Sequence, residues 1–169
     1  GQITFDIKIH IPAELPNVPR LGAQIVLNEN LSQIEWYGRG PHENYVDRKT
    51  SAAFGIYNST VNDWLTPYVR PQENANRCDI RWVSFSGDIS ELYISADAEN
   101  PLSISAWPYS QQTLESTKHD FLLENENKIV VNIDHKQMGV GGDNSWGLPV
   151  MEKYQIKSGS YSYEFTLQP

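Results

Sequence analysis

Residues Ile3-Thr4-Phe5-Asp6-Ile7-Lys8-Ile9-His10-Ile11 alternate apolar and polar side chains over nine positions without a break. A period of two puts every apolar side chain on one face, which is the pattern of a strand resting on a core. The same period returns at the far end of the chain, in Tyr161 to Leu167. Between these two runs, Leu21 to Leu27, Ile34 to Tyr37, Ile80 to Phe85, Leu92 to Ala96, Leu102 to Ala106, Lys128 to Ile133 and Tyr154 to Ile156 also read as strands. The turn-rich Asn28-Glu29-Asn30 makes a meander of the first three strands the simplest arrangement. Ser86-Gly87-Asp88 makes antiparallel neighbours of the strands on either side of it. Ser110 stands where it can cap one short helix over Gln111 to Ser116, and no second helix is expected. The expected class is all-β, an antiparallel β-sandwich in one domain over residues 1–169.

Composition agrees with sheets and excludes several functions. With 5 Trp, 9 Tyr and 5 Phe, the chain has the aromatic content of packed strands. A formal charge of -8, with no stripe of Lys and Arg, repels a phosphate backbone, so no nucleic-acid partner is expected. Apolar runs of four or five residues fall far short of the roughly 20 that span a bilayer, so no membrane partner is expected either. Gly1, followed at once by a strand, reads as a cut within a longer polypeptide. Cys78 is the single cysteine, which rules out an intrachain disulfide and fits a small buried hydrophobe. His10, His42, His119 and His135 are scattered without zinc spacing. The two sequons, at Asn30 and Asn58, are read as chance.

Two unpatterned segments stand out. Gly38 to Arg48, dense in glycine, proline and charge, is expected to be a structured loop, with Glu43 and Asp47 serving its turns or pairing with Arg39 or Arg48. Gly139-Val140-Gly141-Gly142-Asp143-Asn144-Ser145-Trp146-Gly147 lies between strand patterns and places an indole at the tip of a tight loop. It is no dinucleotide cradle, since Pro149 follows and no helical period does. Asp143 and Asn144 read as turn residues ahead of cation ligands. Spacing alone leaves Trp146 open: its ring either offers a flat apolar face to a sugar or folds back to cap the core. The 21 acidic residues supply many carboxylate pairs and no way to choose one.

Taken together, Gly38-Arg39-Gly40-Pro41-His42-Glu43-Asn44-Tyr45-Val46-Asp47-Arg48 resembles the signature of the C-terminal region of large bacterial β-galactosidases of glycoside hydrolase family 2. Further landmarks of that family follow in order: Thr66 to Asn74, Arg77-Cys78, Ser110-Gln111-Gln112 with Leu114-Glu115, Asn132-Ile133-Asp134, and Met138 to Trp146. The resemblance covers nearly the whole chain. Asn144 departs from it by standing where a second aspartate is common.

The resemblance implies a large β-sandwich of the galactose mutarotase-like kind, a supersandwich, packed beside a (β/α)₈ barrel that holds both catalytic glutamates. No catalytic residue is then expected in this chain, which alone should hydrolyse nothing. The intact enzyme is expected to cleave terminal β-galactosides such as lactose with retention. Trp146 is implied to stack with the substrate, above all with the leaving sugar, supported by Gly141, Gly142, Asp143, Asn144 and Ser145. No cofactor is expected in this segment, although the full enzyme of the family is associated with Mg and Na. An alkali ion on main-chain oxygens would map to Pro71, Leu114 and Thr117, with Arg70 nearby as an opposing charge. The implied partners are the substrate, the barrel and other domains of the same polypeptide, and further copies of the full enzyme. Bacterial cytoplasm and periplasm are both open to it. Because the family's domain begins many strands earlier, Gly1 is expected to open partway through the sandwich and leave an edge able to pair with another chain. An independent carbohydrate-binding module and a purely structural or assembly domain with Trp146 buried are the competing readings.

Overall fold

The computed structural model describes residues 1–142, 144 and 146–169. Its strands are β1 (Ile3–Ile11), β2 (Arg20–Asn28), β3 (Gln33–Gly40), β4 (Ala53–Thr60), β5 (Arg77–Ile80), β6 (Trp82–Ser86), β7 (Glu91–Ser95), β8 (Leu102–Trp107), β9 (Lys128–Gln137) and β10 (Gly159–Gln168). They form two antiparallel sheets, one of six strands in the order β1-β10-β7-β6-β3-β4 and one of four in the order β2-β9-β8-β5. The two alternating runs at the chain ends are hydrogen-bonded neighbours, in register from Ile3 opposite Leu167 to Ile11 opposite Gly159.

The core lies between the sheets. Trp36, Phe85, Ile94 and Phe165 of the larger sheet meet Ile104, Val131 and Ile133 of the smaller one, all of them buried. Alternation on β6, β8 and β9 is blurred because these strands carry buried residues on successive positions. β1 is an edge strand whose apolar face is only part covered: Ile3 is 62% and Phe5 38% exposed, while the Phe5 ring stacks on Phe165 at 5.0 Å.

The all-β antiparallel architecture is as expected, and several local expectations are corrected. β1, β2 and β3 do not form a meander, because β2 lies in the other sheet. Residues 80–85 are not one strand. Ile80 ends β5 in the smaller sheet, Trp82 starts β6 in the larger, and the chain changes sheet at Arg81, whose N–H donates to the Tyr37 carbonyl at 2.9 Å. The φ of +58° at Asp79 prepares this corner. Tyr154 to Ile156 form no strand; Glu152–Tyr154 make a 3₁₀ turn, and Ile156 makes a single bridge to Val18. Gly38, Arg39 and Gly40 belong to β3 and pair with Gly55, Phe54 and Ala53 of β4.

Helix α2 (Gln111–Ser116) forms where its cap predicts, the Ser110 hydroxyl accepting from the Thr113 N–H. A second short helix, α1 (Val61–Trp64), is capped in the same way by Thr60 and buries Val61 and Trp64 in the core. No described helix is long and apolar enough to cross a membrane.

Candidate sugar-contact loop

Segment 138–151 leaves the end of β9 and is tied down at its stem. Met138 N–H donates to the Pro19 carbonyl at 2.9 Å, and Gly139 N–H to the Tyr154 carbonyl at 3.0 Å. Gly139 has no room for a side chain: a Cβ there would stand 2.5 Å from both Asp47 Oδ2 and Val150 Cγ2. Beyond the stem the backbone turns through φ of +72° at Gly141 and +95° at Gly142, values costly for any residue with a Cβ. At the tip, Asn144 Oδ1 accepts from the Trp146 N–H at 2.9 Å and closes a tight turn. The aspartate expected at residue 144 is therefore not needed for that turn, since an amide oxygen makes the bond. Asp143 and Ser145 lie outside the described residues.

Trp146 is 90% exposed. Its ring does not cap the core. Leu148 and Met151 of the same segment are exposed as well.

The signature segment packs against this stem. Glu43 is its hub: Oε2 accepts from the Ala75 N–H at 2.7 Å, and Oε1 accepts from the Tyr68 hydroxyl at 2.6 Å and pairs with Arg48. Asn44 is fully buried, and its Oδ1 accepts from the Cys78 N–H at 2.9 Å. Arg39 turns away from this group to Asp79, at 2.5 Å. Asp47, read from sequence as a turn or ion-pair residue, sits in the Tyr45–Arg48 turn and accepts from the Gly141 N–H at 2.9 Å. No spacing in the sequence could reveal this contact, because its partners are 94 residues apart.

Beside the stem a cavity of about 440 Å³ is walled by Arg20, Arg48, Tyr68, Glu73, Gln137 and the backbone of Gly139 to Gly142. That volume falls in the usual range for small-molecule sites. Arg20 links two acids that sequence reasoning passed over. It donates to Glu73 at 3.0 Å, and its Nε lies 2.8 Å from Asp134 Oδ2. The second approach is too oblique for a hydrogen bond and leaves the Asp134 oxygens without a donor. Burial pushes the Asp134 carboxyl up to about 7 and outweighs the opposing pull of Arg20. Burial raises Glu73 and Tyr68 as well, the latter helped by its bond to Glu43.

Of the carboxylates around the loop, Glu43 is held by three donors, Glu73 by Arg20 and Asp47 through Oδ2 by a backbone amide, while Asp47 Oδ1 and the Asp134 oxygens accept no hydrogen bond from the described residues. The loop thus carries an exposed indole, and its stem walls a cavity lined by polar side chains.

Of the residues mapped for an alkali ion, Pro71 and Leu114 line one separate cavity, and Thr117 is the C-cap of α2, not on that wall. Leu114 sits in the last turn of the helix, where carbonyls lack intrahelical partners and suit a hard cation. Arg70 is exposed.

Comparison with known proteins gives a consistent result. A family described as the β-galactosidase small chain matches residues 1–167. A protein named β-galactosidase from Priestia megaterium is 38% identical over all of this chain, one from Vibrio vulnificus is 34% identical over all of it, and one from Halalkalibacterium halodurans is 39% identical over 85% of it. The chain spans only 16%, 16% and 14% of the lengths of these relatives.

Proposed function

The chain belongs to the β-galactosidase small chain family, and from that premise we propose that it is the C-terminal sandwich of a retaining β-galactosidase, supplying a sugar-stacking wall to an active site built elsewhere. The catalytic glutamates belong to a barrel in the rest of the polypeptide. Within this chain Trp146 carries the contact, and the leaving sugar of a β-galactoside such as lactose is what it meets.

The observation that carries this reading is the exposure of Trp146, 90%, on a loop whose stem is held by backbone and side-chain bonds. A rigid exposed indole lets the C–H face of a pyranose stack with little loss of conformational freedom. Such a contact is worth about 1 to 2 kcal/mol, a factor of about 5 to 30 in affinity.

Two measurements test it. In the full-length enzyme Trp146→Ala should raise KM for lactose by about that factor. The isolated chain should hydrolyse no galactoside and bind lactose too weakly for calorimetry. Measurable sugar binding by the chain alone would instead support an independent carbohydrate-binding module. An alkali ion near Pro71 and Leu114 belongs to the same reading, and its test is a sodium-dependent rise in the melting temperature that the same concentration of choline chloride does not produce.

A further inference from the structure

Trp146 can serve as a wall only if its loop stays in place, and the loop's own chemistry works against that. Its three left-handed glycines, Gly141, Gly142 and Gly147 at φ of +72°, +95° and +78°, lose more conformational freedom on ordering than any other residue type. Asn144 closes the tip, but that bond is internal to the loop and cannot fix it to the sandwich. Among the described residues, the side chain that reaches the stretch from Gly139 to Trp146 from elsewhere in the sequence is Asp47, through the bond from the Gly141 N–H to Oδ2.

We propose that Asp47 is the positioning residue for Trp146: its carboxylate clamps the amide of Gly141 and fixes the direction in which the indole leaves the sandwich. The proposal rests on Trp146 being a sugar contact, and it assigns the signature segment a role. Asp47 is held in turn, because the Tyr45–Arg48 turn that presents it closes with a bond from the Arg48 N–H to the Tyr45 carbonyl at 2.9 Å. The Tyr45 ring beneath is 1% exposed, and the Arg48 guanidinium lies 5.0 Å from its centre. The segment is thus a chain of contacts from the core to the Trp loop. An amide held by a carboxylate is a charge-assisted bond, stronger than a neutral one and unavailable to a shorter side chain. Gly139 completes the fit, because its missing Cβ leaves the space that Asp47 Oδ2 occupies.

The test uses the full-length enzyme with Asp47→Ala, Asp47→Asn, Gly139→Ala, Trp146→Ala and the double variant Asp47→Ala/Trp146→Ala. Backbone hydrogen exchange over residues 139–147 should quicken by about ten- to a hundredfold in Asp47→Ala, the range for losing a bond to a charged group. KM for lactose should rise towards the Trp146→Ala value, and the double variant should be no worse than Trp146→Ala alone. Asp47→Asn should recover most of the loss, since its amide oxygen can still accept from Gly141. Gly139→Ala should reproduce the loss by displacing the carboxylate. Unchanged exchange in Asp47→Ala overturns the clamp, as does a double variant whose KM effect is the product of the two single effects. Should Trp146→Ala leave KM unchanged, the sugar-contact reading fails instead, and hydrogen exchange alone decides the clamp.

Discussion

The guanidinium of Arg77 lies 4.9 Å from the centre of the Trp64 ring and donates to the Trp64 carbonyl at 3.3 Å. The Trp36 ring centre is 5.7 Å from the same guanidinium, and Arg77 Nε donates to the Pro41 carbonyl at 3.0 Å. The residue is 3% exposed, and burial lowers its pKa to about 10. A buried cation held by rings and carbonyls ties α1 to the start of the signature segment, and only a planar fork can do so. Arg77→Lys should therefore lower stability by about 1 to 3 kcal/mol, read as a shift in the urea midpoint. An unchanged midpoint would contradict this role.

Asp134 makes stability depend on pH. Its folded carboxyl keeps its proton to about pH 7, whereas an unfolded aspartate loses it near about pH 4. Between these values the folded chain binds more protons, so stability falls as pH rises through that window. Denaturation midpoints should drop from pH 5 to pH 8, and the drop should shrink in Asp134→Asn. A slope that Asp134→Asn leaves intact would assign it to other groups.

Glu126 acts in the opposite direction. Lys128, together with the Ser110 N–H and the Thr113 hydroxyl, lowers its carboxyl to about 2. Stability from these contacts is present above about pH 4.5 and is lost as pH falls towards about 2. Glu126→Gln should weaken the cap of α2 at neutral pH, and its stability should converge with the parent near pH 2. A constant gap from pH 2 to pH 7 would contradict the assignment.

Cys78 is buried, and burial pushes its thiol up to about 11. At pH 8 iodoacetamide should leave the folded protein unlabelled and modify it only after denaturant unfolds it. Prompt labelling of the native protein would show a thiol more open than this one.

How much was legible in the sequence follows from where each signal resides. β1 and β10 could be read because alternation along one strand is local, and α2 because Ser110 caps it within three residues. β4 was missed because it is an edge strand with Phe54 and Ile56 outward and exposed, so its apolar side chains do not mark the core face. The exposed Phe54 ring is instead occupied across the sheet, by Tyr37 at 4.7 Å and Arg81 at 4.3 Å. The break at Arg81 left no trace because residues 80–85 run on without a glycine or proline while the chain changes sheets. At the candidate site, the glycine spacing exposed the loop but could not say which way Trp146 faces, and long-range contacts such as Asp47 with Gly141 have no signature in spacing. Only the ordered family motifs placed both segments in one pattern.

The most direct test of Trp146 as a wall for the leaving sugar compares two substrates in the full-length enzyme. Lactose carries a sugar leaving group, and β-galactosyl fluoride carries none. Trp146→Ala should raise KM for lactose by about 5- to 30-fold, leave KM for the fluoride nearly unchanged, and be largely rescued by Trp146→Phe. Equal effects on both substrates, or no effect on either, would contradict the assignment.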